Sequence, residues 1–326
     1  MNRAAQLEAA LAAVRLAARA VAAVGDPASF GSSGTVTKGA AGPATVADLA
    51  SQAAIVASLR ASLGTGIRVM AEESADEVAA HGGERLLAVV ARSLAPLGIA
   101  AGAPEVRDLL GHGGDAGGTG EFWCIDPLDG TKGYLRGGQF AIAVALVAEG
   151  RPVVGVLGLP RLAAAGTAAG PGVLVAAVRG EGARQSPLGD WMPAAVDASA
   201  WAQGDRIRLA GSVESGHSDT AAIARSLASL GPVESVPVDS QAKYALVARG
   251  DADAYVRSSP DPSYAEWAWD HAAGALVAEE AGCRVTDLAG RGLDFGQGRR
   301  LSSNRGVACA VPALLGAITA ARAPRA

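Results

Sequence analysis

Leucine, valine and alanine recur at helical spacing from residue 6 to about residue 24, with Arg15 and Arg19 between them, and this predicts a first amphipathic helix. Its arginine-rich character also suits an organelle transit peptide, but Glu8 is present and serine is missing, so the helix is preferred. A second helix is expected from Thr45 to about Leu63, with Val46, Leu49, Ile55, Val56, Leu59 and Leu63 on one side. Thr45 is placed to cap it, and Asp48 lies in its first turn, where the helix dipole favours a carboxylate. Ile67 to Ala71 reads as a short buried strand that stops at Glu72-Glu73-Ser74.

Residues 75 to about 100 read as helical, and 111 to 120, with six glycines, as a flexible loop. Phe140 to Ala148 and Pro152 to Leu159 form an apolar hairpin around Glu149-Gly150-Arg151. Strands are then expected at 173–179, 207–210 and 253–257, and helices at 218–230, 240–249 and 264–281, with an irregular stretch from 180 to about 205. A short hairpin around Gly290, a strand near 307–310 and a helix from about 312 close the chain. The first half is antiparallel with helices and the second alternates as α/β folds do, so we expect domains 1–160 and 161–326.

Composition narrows the function. The chain has 326 residues, half of them hydrophobic, which is ample for buried cores. A net charge of -4 and a pI near 5.6 argue against nucleic acid or a membrane surface as partner, and no charge-free apolar run approaches the ~18 residues of a membrane span. Cys124, Cys283 and Cys309 have neither an even count nor a metal-like spacing, which points to a reducing compartment, either the cytoplasm or an organelle stroma or matrix. Arginine has displaced lysine almost everywhere. The three lysines left, Lys38, Lys132 and Lys243, all fall near candidate site segments.

Trp123-Cys124-Ile125-Asp126-Pro127-Leu128-Asp129-Gly130-Thr131-Lys132-Gly133 carries the most chemistry. Asp126 and Asp129 are hard oxygen donors, and the proline between them fixes one torsion so that both, with the Leu128 carbonyl, can face one point, an arrangement suited to Mg²⁺. Gly130 permits a sharp turn, and the next residues can open a helix toward an anion, with Thr131 beside it. The alternative is an ordinary Asp-Pro-x-Asp-Gly turn closing a hairpin. Further acids stand where strands end or helices begin. Glu72 is either solvated loop or ligand, Asp48 either a first-turn carboxylate or a catalytic one. Asp270 sits among tryptophans in an alanine-rich stretch, where an unpaired carboxylate would be costly. Cys124 is close enough to Asp126 for thiol oxidation to be considered.

Thr45-Val46-Ala47-Asp48, Ala71-Glu72-Glu73-Ser74, Asp126-Pro127-Leu128-Asp129-Gly130-Thr131 and Trp269-Asp270-His271-Ala272-Ala273-Gly274 resemble the four signatures of the lithium-sensitive, magnesium-dependent inositol monophosphatase superfamily, in order and spacing. Within it, Thr131 to Phe140, Asp239-Ser240-Gln241-Ala242-Lys243-Tyr244 and Leu293 to Arg299 are similar to the 3′(2′),5′-bisphosphate nucleotidase branch. The Thr37 to Ala44 segment, rich in glycine and alanine, departs from that pattern, and 180–206 shows no match, which leaves the adenine contacts unassigned.

The resemblance implies a layered αβαβα sandwich, with an antiparallel-sheet N-terminal domain and a smaller α/β C-terminal domain. It implies two or three Mg²⁺ held by Glu72, Asp126, Asp129, Asp270 and the Leu128 carbonyl, with Asp48 and Thr131 deprotonating the attacking water. Gly130, Thr131, His217, Ser240, Lys243, Arg257 and Asp270 would bind substrate, Ser240 and Lys243 in the first turn of a helix whose free N–H groups help to hold a 5′ phosphate, with Lys132 and Arg136 as lesser contributors. The implied reaction removes the 3′ phosphate of adenosine 3′,5′-bisphosphate in line and without a phosphoenzyme, by a monomer serving sulfur metabolism, with 3′-phosphoadenylyl sulfate as a second substrate. Alternatives are an inositol mono- or polyphosphate phosphatase, which shares the metal core, and an inactive nucleotide sensor, for which an intact Asp48–Thr131 pair has no use.

Overall fold

In a computed structural model of the chain, residues 2–25, 35–37, 43–80, 83–100, 102–163, 172–213, 220–259, 261 and 263–322 are described. A seven-stranded sheet runs in the order β3 (Val69–Ala71), β4 (Glu121–Asp129), β5 (Ala141–Ala148), β6 (Arg151–Leu159), β7 (Val173–Val178), β8 (Ala183–Pro187), β9 (Ala194–Val196). β3 pairs parallel to β4 and every other pair is antiparallel. A small ribbon joins β1 (Thr35–Thr37) to β2 (Pro43–Thr45). The β5–β6 hairpin turns on Glu149 and Gly150, both at positive φ, as a two-residue primed turn requires.

A five-stranded sheet follows, in the order β11 (Val233–Pro237), β10 (Ile207–Gly211), β12 (Ala254–Arg257), β14 (Val307–Ala310), β13 (Arg284–Thr286). Its β10 pairs parallel with β11 and β12, while β14 is antiparallel to β12 and β13.

Strand alternation assigns each face to a helical layer. In β5, Ile142, Val144 and Leu146 join a core with α1 (Arg3–Val24), α2 (Val46–Leu63), α4 (Gly83–Leu94) and α5 (Ala103–Gly111). The opposite face, Ala141, Ala143 and Ala145, joins a second core with α8 (Ala242–Ala248), α9 (Ala272–Glu280) and one face of the second sheet. A third core lies on the far side of that sheet, under α7 (Thr220–Leu227) and α10 (Pro312–Arg322). The layers are therefore αβαβα, as expected. Two glycines of β6 let helices approach from both sides: a Cβ on Gly158 would stand 2.4 Å from Val14 Cγ1 of α1, and one on Gly155 3.0 Å from the Ala273 carbonyl of α9.

Several boundaries differ from expectation. The division at residue 160 falls between β6 and β7, inside one sheet, because the stretch read as irregular holds β8 and β9 and carries the ladder on to Val196. The helix expected from 264 begins at Ala272, since Trp267 bridges Arg300 in extended pairing and the tryptophans stack. Residues 75–100 contain α3 (Ala75–Ala80) and α4. Among the described residues no helix is long and apolar enough to cross a membrane.

Candidate active site

The parallel pairing of β3 with β4 sets two strand ends side by side, and the Glu72 amide extends it by donating to the Ile125 carbonyl at 3.2 Å. Asp126 shares the sheet face of Phe122 and Cys124, the one toward α9. Beyond it the ladder slips: Asp126 faces Ala143 but Asp129 faces Ala141, so three steps on β4 answer two on β5. This bulge re-aims the chain at Pro127-Leu128. Gly130 (φ 90°) then turns it into α6 (Thr131–Leu135), a helix interposed between β4 and β5. The alternative of a tight turn closing a hairpin is thereby removed.

α2 is fastened to the bulge. Ser51 donates to the Pro127 carbonyl at 2.6 Å, and Gln52 clamps the Glu73 backbone, donating to its carbonyl at 2.8 Å and accepting from its amide at 2.9 Å. At the helix start Thr45 and Asp48 form a capping box, with the Thr45 amide donating to Asp48 Oδ2 at 2.8 Å. Asp48 Oδ1 accepts from the Thr131 hydroxyl at 3.1 Å, and that hydroxyl also lies 3.3 Å from the Leu128 carbonyl. The first-turn carboxylate and the helix-opening threonine are thus one hydrogen-bonded pair, and Asp48 is fully buried.

Burial, and then the negative charges of Glu72, Asp129, Asp270 and Asp48, push the Asp126 carboxyl well above the usual range. Asp129 is raised to about 6, by burial and then by Asp270, against the pull of Lys243, the Gln241 amide and Arg257. Glu72, Asp129 and Asp270, the other acids singled out in the sequence, are thus the neighbours whose charge reaches Asp126. Buried carboxylates made harder to ionise by acidic neighbours, as Asp126 and Asp129 are, are what a divalent cation relieves. Glu72, Asp126, Asp129, Asp270 and the Leu128 carbonyl are therefore a donor set that fits Mg²⁺. Among the described residues, the acids and histidine whose ligand atoms all lie within 4.8 Å of one another are Glu266, Asp270 and His271, and there a guanidinium supplies the positive charge. Arg257 Nε is 2.9 Å from Glu266 Oε2 and its terminal nitrogen 3.7 Å from Asp270, while His271 is buried with Nδ1 2.8 Å from the Tyr244 hydroxyl.

The second half of the chain meets this cluster at Gly130, where an added Cβ would stand 3.1 Å from Ser240 Cβ. Ser240 has φ 69°, a left-handed conformation uncommon for a residue with a side chain. Lys243 is buried, its ammonium donating to the Ser240 carbonyl at 3.0 Å and lying 5.5 Å from the Tyr255 ring. Burial lowers it to about 8, opposed by Asp129.

The free N–H groups expected near Ser240 are engaged. The Gln241 amide donates to Asp129, the Ala242 amide to the Ser240 hydroxyl and the Lys243 amide to the Ser240 carbonyl, because the turn folds back on itself. Arg136, expected to assist with phosphate, pairs with Asp239 at 2.6 Å. Cys124 is buried and its thiol pushed far up by that burial, so it is a poor target for oxidation. His217 and Lys38 lie outside the described residues.

Residue-by-residue reading passed over Ser51, Gln52, Asp239, Gln241, Glu266 and His271. Gln241 donates from its side chain to the Trp269 carbonyl at 2.9 Å and accepts from the Gly274 amide at 3.0 Å, gripping the chain on both sides of Asp270. Its one signal was its place between Ser240 and Lys243.

Comparison with known proteins follows the same lines. The sequence profile of the inositol monophosphatase family matches residues 5–323. The chain is 38% identical over 311 residues to the 3′(2′),5′-bisphosphate nucleotidase of Emericella nidulans, spanning 86% of this chain and 88% of that protein. It is 36% identical over 340 residues to the 3′(2′),5′-bisphosphate nucleotidase of Oryza sativa, spanning 97% and 94%. Among solved structures, extragenic suppressor protein suhB from Bartonella henselae superposes with a TM-score of 0.64 at 19% identity, over 99% of this chain and 100% of that one. CysQ from Bacteroides thetaiotaomicron, a bacterial member of the inositol monophosphatase family, gives 0.60 at 23%, over 94% and 97%. These two likenesses concern the fold.

Proposed function

The chain belongs to the inositol monophosphatase family, and from that premise we propose that it is a Mg²⁺-dependent nucleotidase that removes the 3′ phosphate of adenosine 3′,5′-bisphosphate, giving AMP and phosphate. The observation that carries the reading is the Thr131–Asp48 hydrogen bond of 3.1 Å, which abuts an acidic cluster. The relatives that carry the nucleotidase name cover most of the chain, which favours a bisphosphorylated nucleotide over an inositol phosphate.

Asp48 is anchored at one oxygen by Thr45 and offers the other to Thr131. The Thr131 proton is thus directed at Asp48, and its lone pairs are left for a water. As the water oxygen forms its bond to phosphorus, its proton passes to Thr131 and the threonine proton to Asp48. The bond from phosphorus to the 3′ oxygen breaks, and that oxygen takes a proton from solvent. Two or three Mg²⁺ held by Glu72, Asp126, Asp129, Asp270 and the Leu128 carbonyl would neutralise the phosphoryl and departing oxygens and acidify the water. Lys243 and Arg257, both next to Asp129 and Asp270 in the charge network, are the cations we assign to the 5′ phosphate. Ser240, Gly130 and His217 complete the proposed substrate contacts, 3′-phosphoadenylyl sulfate is a second substrate in this reading, and the working unit is the monomer.

Phosphate release is to be measured from adenosine 3′,5′-bisphosphate, inositol 1-phosphate and inositol 1,4-bisphosphate, with Mg²⁺ and with or without millimolar lithium. The nucleotide should be preferred and lithium should inhibit. Asp126→Asn should abolish turnover, and Lys243→Ala should mainly raise KM for the bisphosphate. Release from none of the three would overturn the enzyme reading, and an unchanged KM in Lys243→Ala would overturn the phosphate assignment.

A further inference from the structure

Trp267 and Trp269 stack with ring centroids 4.6 Å apart and planes inclined by 14°. A guanidinium covers each remaining face: Arg300 lies 3.1 Å from the Trp267 centroid and Arg299 4.5 Å from that of Trp269. The order is Arg300, Trp267, Trp269, Arg299, four planar groups deep. The reaction proposed above uses none of them.

The two arginines differ in what their edges touch. Arg300 Nη1 donates to the Ala265 carbonyl at 2.6 Å, inside its own neighbourhood. Arg299 Nη2 donates to the Ala71 carbonyl at 2.9 Å, reaching the end of β3 in the seven-stranded sheet. Its own carbonyl accepts from the Ala268 amide at 2.9 Å, which locks its backbone beside the tryptophans. Ala71 immediately precedes Glu72, and Trp269 immediately precedes Asp270. A single guanidinium therefore grips, by its edge and by its face, the two residues that lead into the acids expected to hold the cation, one at the end of β3 and one just before α9.

We propose that Arg299 is a positioning residue that sets the spacing of the Glu72 and Asp270 carboxylates and so the affinity of the cation site. The inference rests on the metal reading given above. Arginine is needed because its planar fork stacks on an indole and donates sideways at once; lysine, a compact ammonium on a flexible stem, does one or the other. Partners of this indirect kind are typically worth roughly 10–100-fold in metal affinity.

The test is Mg²⁺ binding by calorimetry without nucleotide, on wild type, Arg299→Lys and Arg300→Lys, with melting temperatures alongside. Both variants loosen the stack and should melt earlier. Arg299→Lys should raise the Mg²⁺ Kd by roughly 10-fold or more, while Arg300→Lys keeps the wild-type Kd. Equal loss in both variants would assign the effect to the aromatic stack and overturn the proposal, as would a wild-type Kd in Arg299→Lys. Absence of Mg²⁺ binding in the wild type would instead overturn the metal reading beneath it. Should Arg299→Lys fail to fold, Arg299→Gln, a planar donor without the charge, carries the same comparison.

Discussion

Gly130 and Ser240 touch where the two halves of the chain meet, with 3.1 Å between Ser240 Cβ and the position a Cβ would take on Gly130. Both have left-handed backbone, at φ 90° and 69°. Gly130→Ala would place a methyl in a conformation costing about 1–2 kcal/mol and press it on Ser240. We expect a lower melting temperature together with weaker nucleotide binding. A wild-type KM in a destabilised Gly130→Ala would show that the contact serves stability alone.

Thr131→Ala and Asp48→Asn remove the two ends of one proton relay. Each should lower kcat by about 10²–10⁴-fold, and the double variant should lose little more than either alone. Additive losses in kcat would separate the two residues and refute the relay.

The glycines of β6 predict a packing effect that leaves chemistry aside. Gly158→Ala drives a methyl against Val14 of α1, which should destabilise by roughly 1–3 kcal/mol in denaturant unfolding. Adding Val14→Ala makes room, and the pair should be more stable than the sum of the single effects by about 0.5–3 kcal/mol. Simple additivity would mean that α1 shifts freely over the sheet.

Without a divalent cation, Asp129 titrates at about 6 in the folded protein, because of burial and Asp270, against about 3.9 in an unfolded chain. A raised folded pKa means that the folded state holds a proton the unfolded state has released, so this stability is lost as pH rises from about 4 through about 6. Asp115, Asp253 and Asp287, lowered by arginine partners, act in the opposite sense, so the comparison must be with Asp129→Asn. In EDTA the variant should gain on wild type across that window by thermal melting, and Mg²⁺ should reverse the gain. A difference independent of pH would contradict the assigned shift.

Cys124, Cys283 and Cys309 are all buried. Native protein should take up no iodoacetamide at these positions, and all three should label after denaturation. Native labelling of Cys124 with loss of activity would restore the oxidation hypothesis that its burial removes.

Much of the site was legible because its signals are local. The Thr45–Asp48 box, the acid after a buried strand and the Asp-Pro-Leu-Asp-Gly-Thr run each fit within a few residues, and their geometry follows from caps, bulges and turns. The strands β8 and β9 were hidden because Arg184, Gln185 and Ser186 put a polar run through β8, where even the buried Ser186 is polar, and β9 is only three residues long. Gln52 and Gln241 were invisible for another reason: their partners are backbone groups 21 to 33 residues away, for which a buried amide leaves no pattern in sequence. Arg257 was read as a cation open to phosphate, whereas the fold also sets it against Glu266 and Asp270.

Sequence separation along the chain has a consequence during synthesis. Thr131 meets Asp48 across 83 residues, Gln241 meets Asp129 across 112, and Arg299 meets Ala71 across 228. A nascent chain on the ribosome therefore brings out Asp48, Glu72, Asp126 and Asp129 well before Lys243, Arg257 and Arg299, the cations of the second half. The acids of the first half are thus made before those counter-charges exist. The contacts that Gln241 and Arg299 make with the first half therefore form only after those residues exist, late in synthesis.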